Sequence, residues 1–509
     1  VSTVELEKLQ RPIADFSGGW NCRDAPEEVA DNETPDAINM TLDERGGASK
    51  RLGLQRLNGA SALASSPKNQ FYWKTADVVV AQVGTGLYES ADGGATWAVC
   101  PNVVAMSTSD TVGFAEFKGD LIVVHRYDGV FTYTTGDVWT NRNSTVKGQA
   151  VDVWLNYVWV GGPDSPRVWR SAIGDVTTWD TSGTGDWVDI RDGDDSGISA
   201  IGVGQNMDVL GRPGLLISKS GGQLARIYDS STLAYTLMHR DAGAEGPLSL
   251  ATVLGITVFL NRRGLWVTDG VKEPERVSQR IEPLFTENEL NFTTLKAAAG
   301  GVYQDRVVFS IPRGSAQATN NFTLEYQPKD GWVMPHNFGA SCFAVYSKGA
   351  QRLLSASPTA GYVRRTFASG ADEGAAVTSH FQTPWYRFNE GAETRVRRLL
   401  LGGRGSFNLY VKRNYEQGQG TLTAVNLEGN AGVWNAFNWN DGTVWGPIQY
   451  EDFLPIYSLG VARAFGFRFT HTGTTSATAP KLLGDGYARE IGAFAVYSML
   501  IDHIRLGGF

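Results

Sequence analysis

Asp192-Gly193-Asp194-Asp195-Ser196-Gly197 sets oxygen-bearing side chains at alternate positions around a glycine turn. Hard oxygen ligands in that spacing suit Ca2+, which makes Asp192, Asp194 and Ser196 candidate ligands. The glutamate that closes such a loop is missing, because its position is held by Val203. The competing reading is a polar turn that feeds a strand from Ile198 to Val203, as Asp372-Glu373-Gly374 feeds one from Val377. The six histidines form no metal spacing, and no Ser-His-Asp order can be assembled from them. Gly202-Val203-Gly204 is not followed by a nucleotide-binding helix. Paired carboxylates are plentiful but unplaced, so glycosidase chemistry has no anchor. No catalytic residue and no cofactor are expected.

Ser90-Ala91-Asp92-Gly93-Gly94-Ala95-Thr96-Trp97 resembles the Asp-box of sialidase-like propellers. Its chemistry is structural. The Asp92 carboxylate and the Ser90 and Thr96 hydroxyls can bond within a tight hairpin. Gly94 supplies a backbone angle closed to other residues, and Trp97 can pack beneath the turn. Ser171 to Trp179 is a looser copy. Two further groups invite binding. Arg395, Arg397 and Arg398 open an apolar strand, read as an edge strand blunted by charge rather than as a basic patch. Trp434, Phe437, Trp439 and Trp445 could stack a sugar, meet another subunit, or form the core of a turn.

The segments that must position these groups read as strands. Gly is 60 of 509 residues and Trp is 15, with hydrophobic residues at 42% and charged residues at 19%. Many tight turns between strands with cross-sheet aromatics describe an all-β protein. From about residue 62 to 370 an apolar run repeatedly meets a turn and restarts as Gly-apolar-aromatic, as in Asp120 to Val124 and then Gly129 to Tyr133. The first run of each pair is nearly all apolar, as for a strand covered on both faces. Recurrence at roughly 40–45 residues marks propeller blades, about seven in this span. Ile281, Leu284 and Phe285 recur at helical spacing within the repeat. After residue 372 the strands lengthen, and Phe465, Phe467 and Phe469 alternate with Arg468, as in a β-sandwich or jelly roll. The expected domains are an extended N-terminal arm at 1–60, a β-propeller at 61–372 and a β-sandwich-like domain at 373–509.

Phe16 to Gly53 has neither helical nor strand periodicity, yet it carries large apolar groups at wide spacing. Such an arm drops its anchors into grooves of its own chain or of a neighbour. Its order F-x-G-G-x-N-x-R-D-x-P, then A-x-N-x-x-x-D-x-x-G, then K-R-x-G, resembles the start of bacteriophage tail proteins of the nozzle or hub type. It also resembles propeller-bearing minor tail proteins. The matching residues are Gly18, Gly19, Asn21, Arg23, Asp24, Pro26, Asn39, Asp43, Gly46, Lys50, Arg51 and Gly53. The resemblance implies a non-enzymatic virion protein, assembled in the host cytoplasm, that forms a homo-oligomeric ring, hexameric by likeness, on the connector. DNA would pass through it during ejection without specific binding. Phe16, Trp20, Arg23, Asp24, Pro26, Ile38, Met40 and Arg51 are the arm residues expected to join copies. The alternatives are a tail-tip or minor tail protein that binds host-surface glycan through the 434–445 aromatics, and a sialidase-like enzyme.

Net charge is −8, which argues against a free nucleic-acid binder but not against a channel wall. Cys22, Cys100 and Cys342 are too few and too far apart for a disulfide framework or metal cluster. No apolar run is long enough for a membrane-spanning helix, and no secretory leader is visible.

Overall fold

The computed structural model describes residues 8–43, 46–59, 63–179, 185–191, 193–204, 214–388, 393–418, 420–427, 454–473 and 495–505. These fall into two compact units. One takes residues up to Leu54 with Lys329–His336 and Phe367 onward; the other takes Gln55–Pro328 and Asn337–Thr366.

The second of these is a propeller-like all-β body. Five four-stranded sheets follow one another in it. The first is Pro67–Trp73, Val78–Val83, Gly86–Ser90 and Ala98–Val99. The second is Gly113–Phe117, Asp120–His125, Gly129–Tyr133 and Trp139–Asn143. The third is Ala150–Trp154, Tyr157–Gly162, Ser165–Arg170 and Asp186–Asp189. The fourth is Ile198–Gly204, Gly214–Lys219, Leu224–Asp229 and Ala234–His239. The fifth is Leu250–Val253, Ile256–Asn261, Gly264–Thr268 and Glu275–Arg276. A sixth sheet starts with Ala299–Tyr303, Arg306–Ile311 and Phe322–Tyr326, and a seventh with Phe343–Tyr346, Arg352–Ala356 and Val363–Ser369. Every pairing within the five complete sheets is antiparallel.

The first strands close a circle. Pro67–Trp73 packs on Gly113–Phe117, and so on through the successive first strands to Phe343–Tyr346, which packs back on Pro67–Trp73. Between consecutive sheets lie apolar clusters. One holds Trp73, Val80, Phe114 and Val123, another Ile122, Val124, Val158 and Val160, and a third Trp159, Val168, Ile201 and Leu215. A cluster of Val79, Val83, Ala344, Leu354 and Val363 joins the last sheet to the first. The second strands explain the apolar runs of the sequence. Val78–Val83, Asp120–His125, Tyr157–Gly162, Ile256–Asn261 and Arg306–Ile311 each bury every residue after the first. A sheet with neighbours on both faces has no solvent side for such a strand to show. The chain's own N-terminal stretch ties the closure. Leu57 N–H donates to Val363 O at 3.0 Å, Leu63 N–H to Gly361 O at 3.1 Å, and Val363 N–H to Asn58 Oδ1 at 2.7 Å. The helical spacing near residue 281 becomes a 3-10 turn, Gln279–Leu284, with Ile281 and Leu284 buried.

The other unit is built on one long strand, Thr394–Arg413. Its first half lies between Leu454–Ala462 and Ala495–Arg505. Its second half lies between Thr421–Leu427 and Phe465–Gly473. Phe465, Phe467 and Phe469 are fully buried, as their alternation requires, and Arg468 is half-buried. Two expectations are corrected here. The Arg395–Arg398 stretch is no edge, because strands flank it on both sides. Its charges lie instead on a solvent face, with Arg395 and Arg397 exposed and Val396 and Leu399 buried. The separate arm at 1–60 is also corrected, and with it the boundaries at 60 and 372. Lys8–Ile13 and Ala48–Lys50 pair with the outer edge of Ala495–Arg505. Asp36–Ile38 pairs with the outer edge of Val377–Gln382. Unpaired edges leave backbone donors and acceptors open, and the N-terminal segment supplies strands that close two of them.

Candidate functional site

The N-terminal motif acts as a set of fastenings within its own unit. Phe16 is fully buried, edge-on to Phe381 at 5.5 Å between ring centroids. Trp20, Met40 and Arg51 are buried as well, and Ile38 is half-buried. Arg23, Asp24 and Pro26 are exposed, on a turn where the Asn21 side chain accepts the Arg23 and Asp24 amides at 3.2 and 3.1 Å. Asn21 also donates to Asp24 at 2.8 Å and to Glu33 at 2.5 Å. Asn39 has a left-handed backbone, φ +56, and holds three places at once. Its amide donates to Pro335 O at 2.9 Å, its side chain donates to Thr378 O at 2.7 Å, and its Oδ1 accepts Arg51 Nε at 2.8 Å. Arg51 completes a fork on Asp372. A Cβ on Gly53 would stand 2.3 Å from the Ala371 carbonyl oxygen, so only glycine fits there. Phe16, Trp20, Met40 and Arg51 therefore fill grooves of the same chain, while Arg23, Asp24 and Pro26 face outward.

Beside this latch lies a cluster of charges. Asp36 is bracketed by His380 Nε2 at 2.8 Å and Arg468 Nη1 at 2.9 Å. Burial works to raise its carboxyl, but the bond and charge of His380 and the charge of Arg468 outweigh it and hold the group below its ordinary value. Lys50 Nζ lies 3.1 Å from His471 Nδ1. Burial, then the Arg51 charge, push its ammonium down to about 8.

In the propeller-like unit the Asp-box forms as its residues require. Asp92 accepts the Ser90 hydroxyl at 2.8 Å, the amides of Ala95 and Thr96 at 2.9 Å each and the Thr96 hydroxyl at 2.6 Å. Burial opposes these bonds, yet together they hold the carboxyl at about 2. Gly94 has φ +102, and its carbonyl accepts Trp97 Nε1 at 3.0 Å. Trp97 packs on the cluster between the first and seventh sheets. The looser copy repeats the device. Asp175 accepts the Thr177 amide at 2.8 Å and hydroxyl at 2.7 Å, and Trp179 Nε1 donates to Val176 O at 2.6 Å. Two more of the turns between third and fourth strands use the same economy without tryptophan. Asp229 accepts the Ser231 amide at 2.8 Å, and Asp269 accepts those of Val271 and Lys272 at 2.9 and 2.8 Å. Their signal in the sequence was an aspartate at the end of each third strand, followed by small polar residues or glycine.

The calcium candidate resolves differently. Asp192 lies outside the described residues. Asp194 and Ser196 bond to each other, and Asp194 Oδ1 accepts the Ser196 amide at 2.8 Å. The loop already contains a cation. Lys219, with its side chain fully buried, donates to Ile190 O at 2.7 Å and to Asp194 O, and lies 3.6 Å from Asp194 Oδ2. An ammonium thus sits on two backbone carbonyls of the loop and beside the Asp194 carboxylate. Among the described residues no group of three or more His, Cys, Asp or Glu could hold a metal ion. Cys22, Cys100 and Cys342 form no disulfide, and burial pushes the Cys342 thiol up to about 12. The aromatic group Trp434, Phe437, Trp439 and Trp445 lies outside the described residues.

One arrangement was not legible in the sequence. His125 Nδ1 is 2.8 Å from Asp128 Oδ2, and its Nε2 is 3.2 Å from the Thr108 hydroxyl. Carboxylate, imidazole and hydroxyl in that order resemble a hydrolytic relay. The proton of Thr108 is directed to Asp110, at 2.7 Å, and His125 has no exposed surface. The chain instead staples the 107–110 linker to the 125–128 turn, helped by the Ser107 amide on Asp128 at 2.7 Å. A cleft of about 540 Å3 opens beside it, lined by Val104, Tyr127, Phe131, Asn141 and Lys147.

No protein-family model and no curated protein matches the chain. Solved structures resemble it at low identity. The computationally designed Ika8 protein aligns over 62% of this chain and 100% of its own, with 13% identity and a TM-score of 0.38. A chain of the mitotic checkpoint complex aligns over 64% of this chain and 99% of its own, with 10% identity and a TM-score of 0.41. Likeness at that level has no bearing on function. No helix among the described residues is long and apolar enough to cross a membrane.

Proposed function

We propose that the chain is a structural, non-catalytic component of a bacteriophage tail. In this reading the seven sheets are the blades of a seven-bladed propeller, and the unit built on Thr394–Arg413 is a β-sandwich. Copies join into a ring or tube of the nozzle or hub kind that continues the genome-exit channel below the connector. The observation that carries the reading is the motif from Phe16 to Gly53. The residues that resemble the start of such tail proteins serve here as fastenings: Asn21, Asn39 and Arg51 each bind several partners, and Gly53 admits no side chain. A segment so committed to its own sheet suits a rigid wall element. Contacts between copies then fall to folded surfaces, and a head-to-tail contact that closes on itself makes a ring from one chain type.

The test is an image of purified particles with subunit stoichiometry. A closed ring of copies at the connector is the expected result. Copies at the distal tip would move the function to host contact. Absence from the particle, or turnover of a fluorogenic sialoside that one point substitution abolishes, would overturn the reading.

A further inference from the structure

Two leucines of the propeller-like unit stand where backbone and solvent both disfavour them. Leu155 and Leu254 occupy the turns between first and second strands of the third and fifth sheets, with φ +50 and +51. Their side chains are 50% and 66% exposed. A branched apolar residue is strained in the left-handed region, and these two gain little burial in return. The turn itself does not ask for leucine, since Lys118 and Gln304 take the equivalent places in the second and sixth sheets at φ +54 and +56. Single exposed leucines are ordinary. Exposed leucines held in strain point to use.

They have apolar company. Ile173, in the turn between third and fourth strands of the third sheet, is 61% exposed. The next residue, Gly174, donates its amide to Asn156 O at 2.8 Å, which joins the turn of Ile173 to the turn of Leu155. Val138, in the matching turn of the second sheet, is 54% exposed. These turns share one edge of the body. With four up-and-down strands per sheet, the chain leaves each sheet at the edge where it entered, so both kinds of turn fall on the opposite edge. Bonds between sheets agree. Lys348 pairs with Asp77 at 2.5 Å, and Lys118 Nζ donates to Gly174 O at 2.7 Å, each joining a turn of one sheet to a turn of the next.

Among the described residues the same edge is acidic. Asp137 adjoins Val138, Asp175 lies two residues past Ile173, and Asp229, Asp269 and Glu273 stand at the matching turns of the fourth and fifth sheets. Turn hydrogen bonds keep several of these carboxylates ionised: Asp175 and Asp229 accept the hydroxyls of Thr177 and Ser231, each at 2.7 Å. Fewer ammonium groups, among them Lys118 and Lys272, oppose them.

We propose that this edge docks a basic protein surface whose apolar hollows receive Leu155, Ile173 and Leu254. A second copy turned to meet the same edge would set carboxylates against carboxylates, in a chain of net charge −8. Nucleic acid would be repelled for the same reason. The proposal does not depend on the chain being a tail component.

The test uses the full chain and the double variant Leu155→Asn with Leu254→Asn. Asparagine accepts the left-handed backbone, and before Gly255 it makes a favoured hairpin turn. The probe is a labelled synthetic helical peptide of leucine and lysine, with a leucine–glutamate peptide as its counterpart, read by fluorescence anisotropy. The native chain is expected to bind the lysine peptide and not the glutamate peptide, and the variant to bind the former at least about tenfold more weakly. Because the substitutions remove strain, the variant is expected to melt at the same temperature or about 1–3 °C higher. Failure of the native chain to bind the lysine peptide, equal binding by the variant, or a lower melting temperature in the variant would each overturn the proposal. So would native self-association in sedimentation that the variant disperses, because the occupant would then be a second copy.

Discussion

Arg51 meets Asp372 through two charge-assisted hydrogen bonds of 2.9 and 2.6 Å, with the arginine side chain 1% exposed and the aspartate 24%. Asp372 also accepts the Leu54 amide at 3.0 Å, so one carboxylate gathers the end of the N-terminal segment onto the start of the C-terminal one. Asp372→Ala would take this carboxylate from a buried guanidinium and is expected to cost about 3 kcal/mol. Denaturant unfolding checks the loss. A cycle with Arg51→Met should show coupling above about 1 kcal/mol, and additive losses would mean that the two side chains act separately.

The repeats were legible because their physics is local. A strand covered on both faces is apolar through its middle, and Leu121 to Val124 shows it without reference to any other residue. Gly94 and Trp97 announce the Asp-box because that turn is closed by residues within eight positions of one another. What stayed hidden was pairing at long range. Nothing in Lys8 to Ile13 says that its partner is Met499 to Ile504. Anchors at wide spacing look the same whether the groove belongs to this chain or another. The Arg395 strand misled for a related reason. Charges at alternate positions mark a solvent face as well as a guarded edge, and only the partners on both sides decide between them. Lys219 was invisible as the cation of the 190–197 loop because it arrives from a different strand, 25 residues beyond Asp194.

That lysine makes a sharp forecast about calcium. With an ammonium already on Ile190 O and Asp194 O, millimolar Ca2+ is expected to leave the melting temperature of the native chain unchanged. Lys219→Met keeps the length of the stem but strands those carbonyl oxygens in a buried place, at a cost of about 2 kcal/mol. Calorimetry with and without Ca2+ decides the matter, and a calcium-dependent rise in the native chain would restore the metal.

The Asp92 box is a stabilising cap rather than a reactive group. Asp92→Ala removes the acceptor of four hydrogen bonds on an exposed hairpin and is expected to cost about 1 kcal/mol. Its carboxyl is held down at about 2 in the folded chain. The contribution is therefore complete above the ordinary aspartate range and is lost as pH falls toward 2. Thermal melts of native chain and variant should differ at pH 6 and converge at acid pH; a difference that persists unchanged into acid would assign the effect to packing instead.

Asp152 carries the opposite sign. It sits on the first strand of the third sheet, and its carboxylate accepts the amide of Val153 at 2.8 Å and that of Val203, from the first strand of the fourth sheet, at 3.1 Å. Burial outweighs both bonds and pushes the carboxyl up to about 6. A group raised on folding binds its proton more tightly in the folded chain than in the unfolded one. Stability from this group is thus whole below about pH 4 and falls as pH rises through 6. Asp152→Asn removes the titration, although it also leaves one of the two amides facing an NH2 group. The gap in unfolding free energy between native chain and variant is expected to change by about 2 kcal/mol between pH 4 and pH 7, with the native chain losing ground as pH rises. Urea unfolding at a series of pH values measures that gap directly. A constant gap would mean that the Asp152 carboxyl titrates alike in the folded and unfolded chain, and that the link between the third and fourth sheets does not depend on its proton.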